Sequence, residues 1–220
     1  QRAIDPAWET YDRVEDIVMV PVDGAVTHIA KDSDDPFQVA LGTPTTDPDG
    51  TRRAMLLFPK DLTATMTLPD GSHKELGDMN VRITEFTAGD QGDEAMPGSL
   101  PGTSGYTYAA EFSVDEALAE RATRVAFDKP VINYVQNFIG APVGSDVPTG
   151  SYDREDAEWE PANNGRVIKI ASESDGKAVL EGAGDLGIGE DELRVLAERY
   201  EPGQELWRVP MRHFTPWDHN

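Results

Sequence analysis

The chain has 220 residues and sets 19 basic against 41 acidic side chains, so its net charge of −22 repels phosphate backbones and excludes nucleic acid as a partner. A hydrophobic share of 38% suffices for one large or two small cores, and 20 Gly with 16 Pro predict many turns and short strands rather than long helices. No apolar run approaches the ~20 residues a membrane span needs, no charged-then-apolar leader pattern stands at the N-terminus, and the absence of cysteine removes disulfide and thiol chemistry.

In chain order, a polar lead-in carrying Trp8 and Tyr11 precedes a strand over Asp16 to Val22. Its Asp23-Gly24 turn predicts a hairpin with Ala25 to Ala30. The run Asp32-Ser33-Asp34-Asp35-Pro36 invites a calcium reading. A hard cation needs six to eight converging oxygens and one local cluster supplies at most about three, so a solvated loop is the expectation. From Phe37 to Phe86 apolar alternations flank Asp49-Gly50 and Asp70-Gly71, the turn chemistry of hairpins, and a sandwich follows from them. Asp47-Pro48-Asp49-Gly50 lacks a bidentate Glu at calcium-loop distance and reads as a turn.

Residues 87 to 107 form a long polar connection anchored by Met96-Pro97 and Leu100-Pro101. Tyr106, Tyr108 and Phe112 belong to one strand, and a helical turn from Val114 to Arg121 is expected under a capping box of Ser113 and Glu116. Val125 to Phe127 and Val131 to Phe138 re-enter the sheet around the break Asp128-Lys129-Pro130. Residues 131 to 170 then read as a β-meander, with Pro142, Gly144, Pro148 and Gly150 as punctuation and Arg166 to Ile170 as a short strand opened by the turn Asn163-Asn164-Gly165. Glu190 to Tyr200 is the best helix, with Leu193, Leu196, Ala197 and Tyr200 on one face, acids in its first turn, and Pro202-Gly203 as its stop. A last strand, Leu206 to Pro210, runs into the aromatic segment His213 to Asp218.

Two stretches, VPTGSYDREDAEWEPANNGRVIKI and LWRVPMRHFTPWDHN, resemble the region that precedes the shell in bacterial RHS or YD-repeat proteins, the large cage proteins related to toxin complexes. The resemblance extends over roughly residues 40 to 220 and includes the pattern TEFT, AMP, LP and GYTY between residues 84 and 108. It departs at Ser151, where an aromatic is more usual, and after Ile170, where family calcium loops appear here as Ser, Ala and Gly. The segment Leu57-Phe58-Pro59 through Leu68-Pro69-Asp70-Gly71 is similar, more broadly, to the β-sandwich of netrin receptors and ankyrins.

These readings give a mainly β chain: a β-sandwich-type domain with short helices and a C-terminal β/aromatic exit segment. Residues 1–38 would be a lead-in, 39–170 the sandwich, and 171–220 a linker helix and aromatic junction to a downstream RHS shell. The resemblance implies a non-enzymatic spacer or plug of a secreted or surface protein, without cofactor or metal. Its partners are the shell of the same polypeptide and other subunits of a surface or toxin assembly.

The junction residues expected to pack together are Trp159, Trp207, Phe214 and Trp217. Were those tryptophans solvent-exposed on a shallow face, they would instead suit a carbohydrate- or surface-binding adhesion module. No Gly-x-Ser-x-Gly, phosphate loop or His-Glu-x-x-His is present. One triplet, His213-Phe214-Thr215, is similar to the His-Phe-Ser at which some netrin-receptor-type sandwiches cut their own chain, the hydroxyl attacking the preceding carbonyl with the His as base. Thr is bulkier than Ser, and Pro216 after it is expected to alter the nitrogen that must leave as an amine.

Overall fold

The computed structural model describes residues 8, 9, 11, 18–89, 92–100, 105 and 107–220. The first half carries β1 (Thr27–Ile29), β2 (Phe37–Leu41), β3 (Thr45–Asp47), β4 (Gly50–Arg52), β5 (Met55–Pro59), β6 (Ala64–Thr67), β7 (His73–Glu75), β8 (Met79–Glu85), α1 (Gly92–Ala95), β9 (Tyr108–Val114) and α2 (Asp115–Ala119). The second half carries β10 (Arg124–Gln136), β11 (Asp146–Val147), β12 (Thr149–Asp153), β13 (Glu158–Pro161), β14 (Gly165–Ser174), β15 (Lys177–Glu181), α3 (Glu190–Arg199), β16 (Glu205–Phe214) and β17 (Pro216–His219). The chain is mainly β.

Sheet A runs β1-β8-β9-β17-β12-β13. Sheet B runs β11-β14-β16-β10-β5-β2, with β15 also on β14 and the β6–β7 pair on β10. All pairings are antiparallel, and β3 with β4 makes a separate small hairpin. Alternation of side chains along sheet B sorts its apolar residues into two cores. Leu56, Phe58, Val131, Val135, Val167, Trp207 and Val209 face sheet A. Met55, Leu57, Ile132, Tyr134, Ile168, Ile170 and Leu206 face away from it and meet Leu196 and Tyr200 of α3. Sheet B is therefore buried on both sides.

Hairpins form at both places, but with Asp47 paired to Gly50 the first turns at Pro48-Asp49, and Gly50, at positive φ, opens β4, while Asp70-Gly71 lies in a five-residue loop between Thr67 and His73. Other elements differ, each for a local physical reason. Val18 to Val22 are not in a strand, residues 16 and 17 lie outside the described residues, and β1 pairs with β8 rather than back across Asp23-Gly24. The Asp23 carboxylate is engaged elsewhere, accepting from Thr43 N and Oγ1 at 2.9 and 2.6 Å and from Ala25 N at 2.9 Å.

The capping box does not form, because Ser113 is a strand residue and Val114 takes the cap position. Glu116 instead holds Asn80, accepting from its backbone N at 2.9 Å and its Nδ2 at 2.6 Å. Tyr106 lies outside the described residues. Asp128-Lys129-Pro130 breaks nothing. It is a register shift within β10, the local bend by which a strand absorbs residues that cannot complete the ladder.

Residues 131 to 170 are not a meander. β10 and β14 belong to sheet B, whereas β12 and β13 form a hairpin that pairs with β17 in sheet A. Gly165 begins β14 instead of closing a turn, and a Cβ there would come within 2.6 Å of Val209 Cγ2 and 2.7 Å of Arg208 O. Close strand packing demands the glycine. β14 continues past Ile170 and turns at Asp175-Gly176, both at positive φ, into β15. That two-residue connection suits a type I′ hairpin.

The largest correction concerns the C-terminal segment, which is no exit lying on the surface. β16 lies between β14 and β10 in sheet B, the chain bends at Thr215, and β17 enters sheet A between β9 and β12. One fifteen-residue stretch stitches both sheets together.

Candidate functional site at the sheet-switching corner

The bend follows from what its residues bury. Phe214, 3% exposed, is fixed between the sheets by Phe127 at 4.7 Å, Phe112 at 5.7 Å and Phe58 at 6.0 Å between ring centroids. Edge-to-face and stacked aromatic pairs at these distances add about 0.5 to 1.5 kcal/mol each beyond burial. Next along the chain, Trp217 donates its Nε1–H to the His213 carbonyl at 3.1 Å, and its ring lies 5.0 Å from the imidazole. His213, on one side of Phe214, is thereby tied to Trp217 of the next strand.

At the bend the Thr215 hydroxyl, in a residue 5% exposed, sits 3.4 Å from His213 Nδ1 and 3.3 Å from the Pro216 carbonyl. Burial lowers the His213 pKa to about 4, with Arg124 acting in the same direction and Asp153 against it. The imidazole is therefore neutral at pH 7, and the same shift makes it a weaker base than an ordinary histidine. Both side chains border a cleft of about 230 Å³ whose wall also includes Arg124, Ser151, Asp153 and Arg154. Nearby, burial raises the Glu111 carboxyl above its ordinary range while the Arg154 guanidinium, 2.5 Å away, opposes the shift.

A hydroxyl beside a neutral imidazole is the element of nucleophilic attack on an adjacent carbonyl. In a cut between Phe214 and Thr215 the departing nitrogen is that of Thr215 itself, so Pro216 does not change the leaving group as the sequence reading expected. Ser151, Asp153 and Arg124 have no sequence signal linking them to this corner. Ser151 arrives only because β12 pairs with β17, placing it opposite Trp217.

Of the four expected junction residues Trp207, Phe214 and Trp217 share the core between the sheets while Trp159 lies outside it, and among the described residues no ring contact joins any two of them. Trp207, 1% exposed, donates to Asn137 Oδ1 at 2.9 Å and lies 5.4 Å from the Phe138 ring. It neighbours Val167 of β14 across the ladder. Trp159, half-buried on β13, donates to the Gly98 carbonyl at 3.0 Å and meets Tyr152 edge-on. Of the three tryptophans considered for a carbohydrate platform, Trp207 and Trp217 are enclosed and Trp159 is half-buried.

Elsewhere the Asp32 to Pro36 loop is engaged with the protein itself, Asp34 accepting from Lys60 at 3.0 Å and Ser33 from the Asp35 amide at 3.2 Å. Among the described residues no three His, Asp or Glu side chains gather as a metal site would, and no helix is long and apolar enough to cross a membrane. No family model matches the chain, and neither curated proteins nor solved structures provide a match.

Proposed function

We propose that this chain is a non-enzymatic structural module, a spacer or plug at the mouth of the shell of a large secreted or surface RHS/YD-repeat protein. The observation that supports the reading is where the resemblance falls. VPTGSYDREDAEWEPANNGRVIKI supplies β12, β13 and the start of β14, and LWRVPMRHFTPWDHN supplies most of β16 and all of β17, so the resembling residues are framework strands of both sheets. A module fastened through its centre keeps a fixed aim relative to whatever it adjoins. The test is to co-express residues 1–220 and the shell region of the same polypeptide as two chains. A one-to-one complex that survives gel filtration is expected; two components eluting separately would sink the proposal.

A second reading, self-processing at Phe214-Thr215, is favoured by one observation, the 3.4 Å approach of Thr215 Oγ1 to the neutral His213. In it the hydroxyl proton passes to His213, Oγ1 bonds to the Phe214 carbonyl carbon, and the Thr215 nitrogen leaves as an amine on taking that proton. Water then hydrolyses the ester to a Phe214 carboxylate and a free Thr215 hydroxyl. Mass spectrometry of the longer polypeptide decides it. A fragment ending at Phe214 that vanishes in Thr215→Ala establishes processing, and a single intact mass excludes it.

A further inference from the structure

His219 is wholly buried. Its ring stacks on Tyr108 of β9 at 5.7 Å and lies 6.3 Å from the Trp217 ring. Nδ1–H donates to the Asp218 carbonyl at 3.0 Å, which leaves Nε2 as an acceptor for the Asn133 Nδ2–H of β10, also at 3.0 Å. That second bond runs from sheet A to sheet B. Asn133 is itself 0% exposed, and its Oδ1 has no hydrogen-bond partner among the described residues.

The groups facing the ring carry no charge between pH 4 and 7: Tyr108 from β9, Thr149 across the ladder from β12, Asn133 from β10 and Trp217 from its own strand. The Asp218 carboxylate alternates to the opposite face of β17 and is bonded by Asn220 Nδ2. Among the described residues no counter-ion faces the ring.

We propose that His219 is an acid-operated latch that holds β17 in sheet A and sheet A to sheet B. Protonation of Nε2 turns an acceptor into a donor pointing at the donor of Asn133. A turn of the Asn133 amide would present its oxygen to the new proton, but the positive charge would still lie in an apolar slot, where an unpaired charge is strongly disfavoured. The charge is relieved when β17 leaves its place between β9 and β12.

Burial lowers the folded-state pKa of His219 from 6.5 to about 4. The released state binds the proton more tightly, so the latch is fully closed above about pH 6.5 and its hold weakens as pH falls from there toward 4, by an amount on the order of a hundredfold in the closed-to-open ratio. His213 shifts in the same direction, so the test separates the two.

Amide hydrogen exchange across β17, corrected for intrinsic rates, is measured from pH 7 to pH 4 in the wild type, His219→Gln and His213→Gln. The wild type and His213→Gln should lose protection at Trp217 to His219 by more than tenfold as pH falls, and His219→Gln should hold it. Retention of the wild-type pH dependence in His219→Gln overturns the proposal. Should His219→Gln fail to fold at pH 7, NMR titration of the His219 ring in the wild type decides instead. A ring that titrates near 4 together with loss of β17 supports the latch, and one that titrates near 6.5 with β17 in place refutes it.

Discussion

Sheet B is covered on its outer face by α3, a regular ten-residue helix, whereas residues 92–100 cover the outer face of sheet A with little regular structure. The helix is fastened by a buried ionic network. Arg208 Nε donates to Glu192 Oε1 at 2.9 Å, Nη2 to Oε2 at 3.2 Å, and the Tyr134 hydroxyl to Oε1 at 2.7 Å. Among the described residues the irregular cover is anchored by contacts of another kind. It holds by the buried Met96, by Gly98 lying so close to Tyr152 that a Cβ would come within 2.8 Å of the ring, and by the Trp159 bond to the Gly98 carbonyl. The difference teaches that a cover made of irregular backbone is held by shape and single bonds, while a helix, whose backbone is already satisfied, can spend a charged side chain on fixing its position.

The largest effect that would break this comparison comes from Glu192→Ala, which leaves Arg208 charged and unpaired beneath α3. A loss of about 3 to 5 kcal/mol in urea unfolding is expected. The double variant Glu192→Leu with Arg208→Met should recover most of it, because replacing a buried ion pair by apolar groups is often neutral. A double variant as weak as the single would show that the network itself, rather than the stranded charge, secures the helix. On the other cover, Met96→Ala removes the deepest apolar anchor and should cost ~2 to 3 kcal/mol in the same measurement. Its proteolytic signature should be cleavage within residues 92–100 before global unfolding. Smallest is Trp159→Phe, which keeps the ring and deletes the bond to Gly98 O. A loss of ~1 kcal/mol is expected, with increased amide exchange confined to this cover.

What was legible in the sequence tracks how local its cause is. The hairpins near Asp49-Gly50 and Asp70-Gly71 and the helix ended by Pro202-Gly203 depend on neighbours within a few residues, and each forms in its expected place, the first with its turn one residue earlier. Asp175-Gly176 carries the same signal, but its acidic, Gly-rich surroundings masked a hairpin as a linker. Glu192 looked like one more acid complementing the helix N-terminus; its partner Arg208 is sixteen residues away, on a strand no periodicity connects to it. β12 and β13 were assigned to the wrong company because β17, the strand that draws them into sheet A, lies more than fifty residues further on. At the corner, the triplet His213-Phe214-Thr215 could be named, but its cleft could not: Arg124, Ser151 and Asp153 come from distant strands.

The position of β16 and β17 also bears on how the protein is made. A ribosome emits β5, β8 and β10 long before residue 205, yet β10 and β14 in one sheet and β9 and β12 in the other lack their common neighbour until β16 and β17 emerge. At about 5 to 20 residues per second, a nascent chain would wait roughly 10 to 30 s with its apolar strands uncovered. Folding is then a late and collective event, slowed further by pairings of high sequence separation. A translation product that stops short of residue 205 can pair β2, β5 and β10, or β1, β8 and β9, but it lacks the strands that join β10 to β14 and β9 to β12, so each sheet is left in two pieces and the completed corner is the step that closes the sandwich.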